Sequence, residues 1–303
     1  MPKDIIDIKA ALRLKGFSFR ISSRVKGIKA GIHKSQHKGI SPDFLEYKEY
    51  SYGDELKHID WRLYGRHDRL YVKKFEDEVN LSWCILIDRS GSMGYASNGN
   101  NKLDYAIRLS ATLAYLLLKQ GDAVGIGDFS DNDLNMITPK TGIVNLTPIV
   151  EKLNSFNAYG NTELKEAILR AIEKTKTDSA FVIVSDFLMD LDKIEESIKL
   201  LRASGREVIA FQVLDTNEVE FNFDGSIEFI DMEGEKKILV DSGDIGDAYR
   251  RRMKEFIERL KFICLQHKSR YVFSPTILPI EDVLIQIVEK WCGIQDRWNF
   301  HLS

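Results

Sequence analysis

The sequence predicts an α/β fold in which a mostly parallel sheet is covered on both faces by helices. Two observations carry this. From residue 81 onward, short runs of branched apolar residues alternate with longer segments whose apolar residues recur at helical spacing. That alternation implies parallel strands joined by crossover helices. The first run, Cys84-Ile85-Leu86-Ile87, stops abruptly at Asp88-Arg89-Ser90-Gly91-Ser92. A polar loop at the carboxyl end of a buried strand is where ligands bind in open α/β sheets.

The elements follow in order. Residues 4–15 predict a short basic helix, and 16–42, rich in Lys, Ser and Gly, an irregular arm. Phe44–Tyr50 is too polar for a core strand and too aromatic for a linker. Leu70–Phe75 reads as a partly exposed strand. Leu81–Ile87 is the first sheet strand. Leu103–Gln120 is a helix stopped by Gly121. Ala123–Phe129 and Leu134–Thr138 are strands, and Val144–Phe156 is a helix with Pro148 in its first turn. Leu164–Lys176 is a helix capped by Asn161 or Thr162. Phe181–Val184 is a strand, Ile194–Ala203 a helix, and Val208–Val213 a strand. Ser226–Ile230 and Lys237–Val240 form a hairpin inserted at about 215–241. Asp244–His267, Tyr271–Phe273 and Val283–Trp291 complete the pattern as helix, strand and helix. The expected division is a basic arm and charged-aromatic subdomain over 1–78, then the α/β domain over 79–303.

Bulk composition narrows the classes. Apolar content of 44% and charged content of 29% are those of a soluble globular protein, and the net charge is only −3. The charge is unevenly spread: residues 1–40 hold ten Lys/Arg against two Asp, whereas Asp190–Asp247 is rich in acids. A basic arm suits nucleic acid, an anionic surface or an acidic partner, and equally a solvated arm. Three scattered cysteines, Cys84, Cys264 and Cys292, make neither a disulfide frame nor a zinc site. Asp4 and Asp7 interrupt any signal-peptide core, and the longest apolar run, near Ala111–Leu118, is short of the ~20 residues a membrane helix needs. A cytoplasmic location is expected.

Asp88, Ser90 and Ser92 put three hard oxygens in one tight loop, which suits a small divalent cation. Other loops at the same sheet edge should contribute. Thr162, in Gly160-Asn161-Thr162-Glu163, and Asp186, after the strand Phe181–Val184, are the candidates. Hydroxyls do not neutralise Mg²⁺, so a cation held by this set would seek a further anionic oxygen, such as an acidic side chain of a partner.

This arrangement resembles the von Willebrand factor A domain and its metal-ion-dependent adhesion site. The family's Asp-x-Ser-x-Ser, middle-loop Thr and later Asp fall on Asp88, Ser90, Ser92, Thr162 and Asp186. The triplet alone is weak; its strand context, and a Thr and an Asp in the right order, make it specific. One departure is Phe187, where many such domains carry Gly, which is expected to narrow the pocket. The preceding region resembles the bacterial "domain of unknown function 58" family. The signature is Gly31-x-His33-x-Ser35, Gly39-x-Ser41, Phe44-x-Glu46-Tyr47-x-Glu49-Tyr50, Gly53-Asp54, Ile59-Asp60-Trp61-Arg62, Arg66 and Val72-Lys73-x-Phe75-Glu76-x-Glu78. That resemblance implies a chaperone-like or adaptor partner of a MoxR-type AAA+ ATPase. Asp54, Asp60 and Glu78 alternate with Arg62, Arg66 and Arg69, suggesting an ion-pair network around Trp61, or a stretch that only props the arm.

Other constellations fail. Asp131-x-Asp133-x-Asn135 lacks the Gly and Glu of a calcium loop, having Met136 and Gly142 there instead. His33 and His37 lie in a Lys-rich stretch with no further ligand nearby. No Gly-x-Ser-x-Gly elbow and no phosphate-binding Gly-x-x-x-x-Gly-Lys-Ser/Thr loop occurs. The expected function is a non-enzymatic interaction module using Mg²⁺ or Mn²⁺. The alternatives are a Mg²⁺-dependent hydrolase built on Asp88 and Asp186, and a nucleic-acid or anionic-surface binder acting through the arm, including peripheral membrane contact.

Overall fold

A computed structural model of the chain describes residues 5–15, 17, 19, 44–52, 56, 59–67, 69–75, 81–97, 99, 101–130, 133–223, 226–230 and 237–289. Helix α1 (Ile8–Arg13) is followed by β1 (Phe44–Glu49), α2 (Trp61–His67) and β2 (Tyr71–Phe75). The α/β series then runs β3 (Ser82–Asp88), α3 (Lys102–Gln120), β4 (Ala123–Ser130), β5 (Asp133–Lys140), α4 (Leu146–Asn154), α5 (Leu164–Lys174), β6 (Ser179–Ser185), α6 (Leu191–Ala203) and β7 (Glu207–Leu214). It closes with α7 (Thr216–Glu220), the hairpin β8 (Ser226–Ile230) and β9 (Lys237–Asp241), α8 (Ser242–Gln266), β10 (Arg270–Pro275) and α9 (Ile280–Glu289).

The main sheet has the order β10-β7-β6-β3-β4-β5, parallel except for β5. This is the expected α/β class, a mostly parallel sheet covered on both faces by helices. Its central strands are apolar throughout because both faces are covered. Trp83, Ile85 and Ile87 of β3, with Val182 and Val184 of β6, join the core layer that contains Leu109, Leu113 and Leu117 of α3. Cys84 and Leu86, with Phe181 and Ile183, join the layer that contains Ile168 of α5, Ile198 of α6 and Leu260 of α8. The period-two pleat thus assigns alternate residues to opposite layers. Cys84 is buried and its thiol lies 4.0 Å from the Met136 sulfur, consistent with a packing role.

The chain partitions differently from the expected 1–78 and 79–303. One compact unit comprises residues 26–80; the other joins residues 1–25 to 81–303. The reason is visible in α1. Asp7 caps it by accepting from the Ala10 amide at 3.1 Å, and the Asp7 amide donates to Thr112 Oγ1 on α3 at 2.9 Å. Arg13 pairs with Glu281 of α9 at 2.7 Å, and Phe19 exchanges backbone bonds with the Gln120 side chain at 2.8 Å in each direction.

Within the 26–80 unit, β1 and β2 pair antiparallel. Phe44–Glu49 is therefore a strand, in a two-stranded ribbon outside the main sheet, in keeping with its being too polar for a core strand. Of the residues expected to form an ion-pair network around Trp61, Asp60, Arg62, Arg66 and Arg69 are among the described residues. Asp60 accepts from the Arg62 and Leu63 amides at 2.9 and 3.2 Å, capping α2, and from the Tyr47 hydroxyl at 3.1 Å. Trp61 is 64% exposed and stacks edge-on against Tyr64. Arg69 reaches Glu49 at 3.7 Å in an exposed pair. Asp54, Glu78 and the arm residues Gly31, His33, Ser35, His37, Gly39 and Ser41 lie outside the described residues, as does Cys292.

The sheet edge explains one glycine. Gly125 sits where the β4–β5 register shifts, opposite Pro139. Proline, lacking an amide donor, is tolerated because β5 is an edge strand. A Cβ at Gly125 would stand 2.6 Å from both the Ile137 oxygen and the Pro139 nitrogen, closer than real contacts allow. Gly125→Ala is therefore expected to lower stability by roughly 1–3 kcal/mol, read as a lower urea midpoint with unchanged slope.

Candidate functional site

The strand order creates the site. The chain leaves β3 toward β4 on one side and leaves β6 toward β7 on the other, so the crevice between the carboxyl ends of β3 and β6 is the topological switch point. Asp88 ends β3 and Asp186 follows β6 directly, which places both carboxylates there.

Asp88 is fully buried. Its Oδ1 accepts from the Ser90 amide at 2.9 Å, a local turn that fixes the loop. Its Oδ2 accepts from the Ser185 hydroxyl at 2.6 Å and, more weakly, from Thr162 Oγ1 at 3.4 Å. Ser90 and Ser92 hydroxyl oxygens lie 3.1 Å apart. A 3-10 turn over Gly91–Gly94 carries the chain past Ser92. Ser90 is buried, whereas Ser92 and Thr162 are partly exposed, so the cluster opens to solvent on their side. Four of the five expected residues thus form one connected group of a carboxylate and three hydroxyls.

Thr162 reaches Asp88 because its loop is stitched to the β3 loop. The Tyr159 amide donates to the Arg89 carbonyl at 2.7 Å, and the Gly91 amide to the Gly160 carbonyl at 2.9 Å. Gly160 has φ +76°, a conformation that glycine adopts without strain. Arg89 locks the joint. Its guanidinium pairs with Asp128 of β4 at 2.7 Å, donates to the Asn157 carbonyl at 3.2 Å and the Tyr159 hydroxyl at 3.0 Å, and stacks 4.6 Å from the Tyr159 ring centre. Helix α5 begins at Leu164 as expected, but its N-cap is Glu163 rather than Asn161 or Thr162, and Glu163 makes no side-chain capping bond. Thr162 turns its hydroxyl to Asp88 rather than capping the helix.

Asp186 is placed differently. It is buried, but its Oδ2 accepts from the Lys102 ammonium at 2.7 Å, and its Oδ1 from the Leu188 amide at 3.1 Å. Lys102, the first residue of α3, has no exposed surface, and its ammonium also pairs with Glu218 of α7 at 2.6 Å. Phe187 does not narrow the site. It adopts φ +55° and its ring is wholly buried in the core layer of α5 and α6. The left-handed conformation explains why Gly suits this position, and ring burial offsets the strain of roughly 1 kcal/mol.

Sequence reasoning did not single out Arg89, Lys102 or Ser185. Arg89 occupies a variable position of the triplet and carried no signal. Lys102 did carry one: a cation in the first turn of a helix opposes the helix dipole, so a buried one there needs carboxylates nearby.

The electrostatics follow from burial. Removal from water, then the neighbouring Asp186 charge, pushes the Asp88 carboxyl up to about 7, despite the bonds from Ser185 and Ser90. Burial works against the charge on Lys102, but Asp186 and Glu218 outweigh it and raise its pKa. Burial raises Glu218, with Lys102 opposing. The donor set fits a small hard cation: all its atoms are oxygens, and its central carboxylate lies in low dielectric beside a second one. Among the described residues no cluster of three or more His, Cys, Asp or Glu exists, so a transition-metal site of that kind is not formed.

Asp88 has a higher pKa in the folded than in the unfolded chain, so between roughly pH 4 and 7 the folded form holds an extra proton. In EDTA, stability should therefore fall as pH rises through that window. Asp88→Asn should flatten the fall, gaining on the order of a few kcal/mol over the native chain near pH 8. Urea midpoints of both chains at about pH 5 and 8 check this.

The chain is 23% identical over 235 residues to "Uncharacterized protein Rv1480" of Mycobacterium tuberculosis, covering 76% of this chain and 73% of that one. Among solved structures it is similar to the conserved hypothetical protein BatB from Bacteroides thetaiotaomicron, at 19% identity and TM-score 0.49, over 71% of this chain and 100% of that one. It is also similar to the SpRpn10 VWA domain, at 11% identity and TM-score 0.42, over 69% and 95%. The model of the family DUF58, protein of unknown function, matches residues 46–259. This chain belongs to the DUF58 family.

Proposed function

We propose that this protein is a non-enzymatic, metal-dependent protein-interaction module. Asp88, Ser90, Ser92 and Thr162 would hold Mg²⁺ or Mn²⁺, with Asp186 as the second charge of the site. The observation that carries this reading is the connected group of one buried carboxylate and hydroxyls, opening to solvent at Ser92 and Thr162. A cation there would supply Lewis acidity, and the chain's own hydroxyls would leave most of its charge available to a partner's carboxylate.

A hydrolase built on Asp88 and Asp186 has less support. It would need a general base. Within the α/β unit, the one described histidine is His267, which precedes β10 at the other edge of the sheet and bonds Glu195 at 3.0 Å. The arm on which nucleic-acid or anionic-surface binding would rest lies almost wholly outside the described residues. No helix among the described residues is long and apolar enough to cross a membrane. The partner implied by the signature residues is a MoxR-type AAA+ ATPase, which would dock an acidic side chain at the site.

The test is a pull-down of a purified MoxR-type ATPase from the same organism on the immobilised chain. Retention in Mg²⁺, lost in EDTA and lost with a folded Asp88→Ala chain, is expected. Retention that ignores both EDTA and the substitution would sink the reading.

A further inference from the structure

The second unusual feature of this edge is Lys102. A fully buried ammonium is costly unless carboxylates surround it. Here two do, at 2.7 Å from Asp186 and 2.6 Å from Glu218. Both carboxylates are themselves held. Asp186 also accepts from the Leu188 amide, and the Gln212 side chain donates to its carbonyl at 3.0 Å. Glu218 is fixed by a capping box at the start of α7: its Oε2 accepts from the Asp215 amide at 2.9 Å while Asp215 Oδ1 accepts from the Asn217 amide at 2.9 Å. Asp215 Oδ2 in turn accepts from the Ser97 amide at 3.1 Å, in the loop between the Ser92 turn and α3. Lys102 therefore sits at a rigid junction of four segments rather than on a mobile surface. Nothing in general packing requires a lysine there, since an apolar side chain facing a neutral Gln at 218 would fill the same core at lower desolvation cost.

We propose that Lys102 is the built-in counter-ion of the metal site. It shares Asp186 with whatever cation the site takes and thereby holds down the site's affinity for that cation. The proposal rests on the metal-site reading given above. Its physical content is a balance. Asp186 contributes a full negative charge to an incoming cation only to the extent that Lys102 is drawn toward Glu218. Glu218 therefore strengthens the site from a distance, and Lys102 weakens it. The cation left less neutralised by the chain is the one that most favours an anionic oxygen from a partner.

The test uses Mg²⁺ alone, titrated calorimetrically into the native chain, Lys102→Met/Glu218→Gln, and Glu218→Gln, each with and without Asp88→Ala. The double variant leaves no unpaired buried glutamate; Asp186 loses its ammonium but keeps the bond from the Leu188 amide, and the urea midpoint of each chain shows whether it is folded. A unit positive charge close to a divalent ion costs that ion at least about tenfold in affinity. Loss of the Glu218 charge offsets part of that gain, so the double variant should bind Mg²⁺ about three- to tenfold more tightly than the native chain, Glu218→Gln alone should bind it more weakly, and Asp88→Ala should abolish binding throughout. A merely structural lysine would give the opposite sign, since loosening the junction weakens binding. Asp88-dependent binding that is unchanged or weaker in the double variant overturns the counter-ion role and leaves the metal site standing. No Asp88-dependent binding in any chain overturns the metal-site reading, and the counter-ion with it.

Discussion

The buried carboxylate of Asp88 is the constraint around which this sheet edge is arranged. Strand β3 must be apolar on both faces to sit at the centre of a doubly covered sheet, and it ends in a charge that has left water. Three neighbouring segments answer that charge: the Ser90 turn, the Ser185 hydroxyl at the end of β6, and Thr162 from the loop before α5. None of these brings a positive charge. Burial and the nearby Asp186 then hold the carboxyl near neutrality in its pKa, so the site is electrostatically incomplete in a way that a divalent cation would complete.

The other carboxylates at this edge are treated differently. Near the ends of β3, β4 and β6 stand Asp88, Asp128 and Asp186. Asp128 is paired with Arg89 and Lys152, each at 2.7 Å, and Asp186 with Lys102. Among the described residues no ion pair reaches Asp88. Two of these three cations tie the site's segments together. Arg89 joins the β3 loop to the loop carrying Thr162, through Asp128, Asn157 and Tyr159. Lys102 joins β6 and the start of α3 to α7, the short helix that leads into the inserted hairpin. The site is thereby built from rigid elements, which is what precise placement of oxygens requires.

Much of this was legible in the sequence because its signals are local. The strand Cys84–Ile87 and its polar end, the helix stop at Gly121 and the hairpin strands Ser226–Ile230 and Lys237–Val240 depend on neighbours in the chain. So does the order of Thr162 and Asp186. What was not legible depends on contacts across the fold. The short helix α7 gave no periodicity, being five residues fixed by one capping box. The attachment of α1 to α3 and α9 rests on Asp7, Thr112, Arg13 and Glu281, residues about a hundred or more positions apart, and so escaped the expected boundary near residue 78. Phe44–Glu49 is too polar for a core strand, as the main sheet bears out, but its pairing with β2 depends on a partner more than twenty residues on and so was not legible. Analogy with Gly does not show where the Phe187 ring goes, because its left-handed backbone just past β6 turns the ring into the core.

The central claim is that the oxygens gathered at Asp88 hold a divalent cation. A crystal grown in Mn²⁺, with data collected for manganese anomalous scattering, addresses it most directly. The account predicts an anomalous peak bounded by Asp88, Ser90, Ser92 and Thr162. A peak located elsewhere, or none at this edge at saturating Mn²⁺, would contradict it.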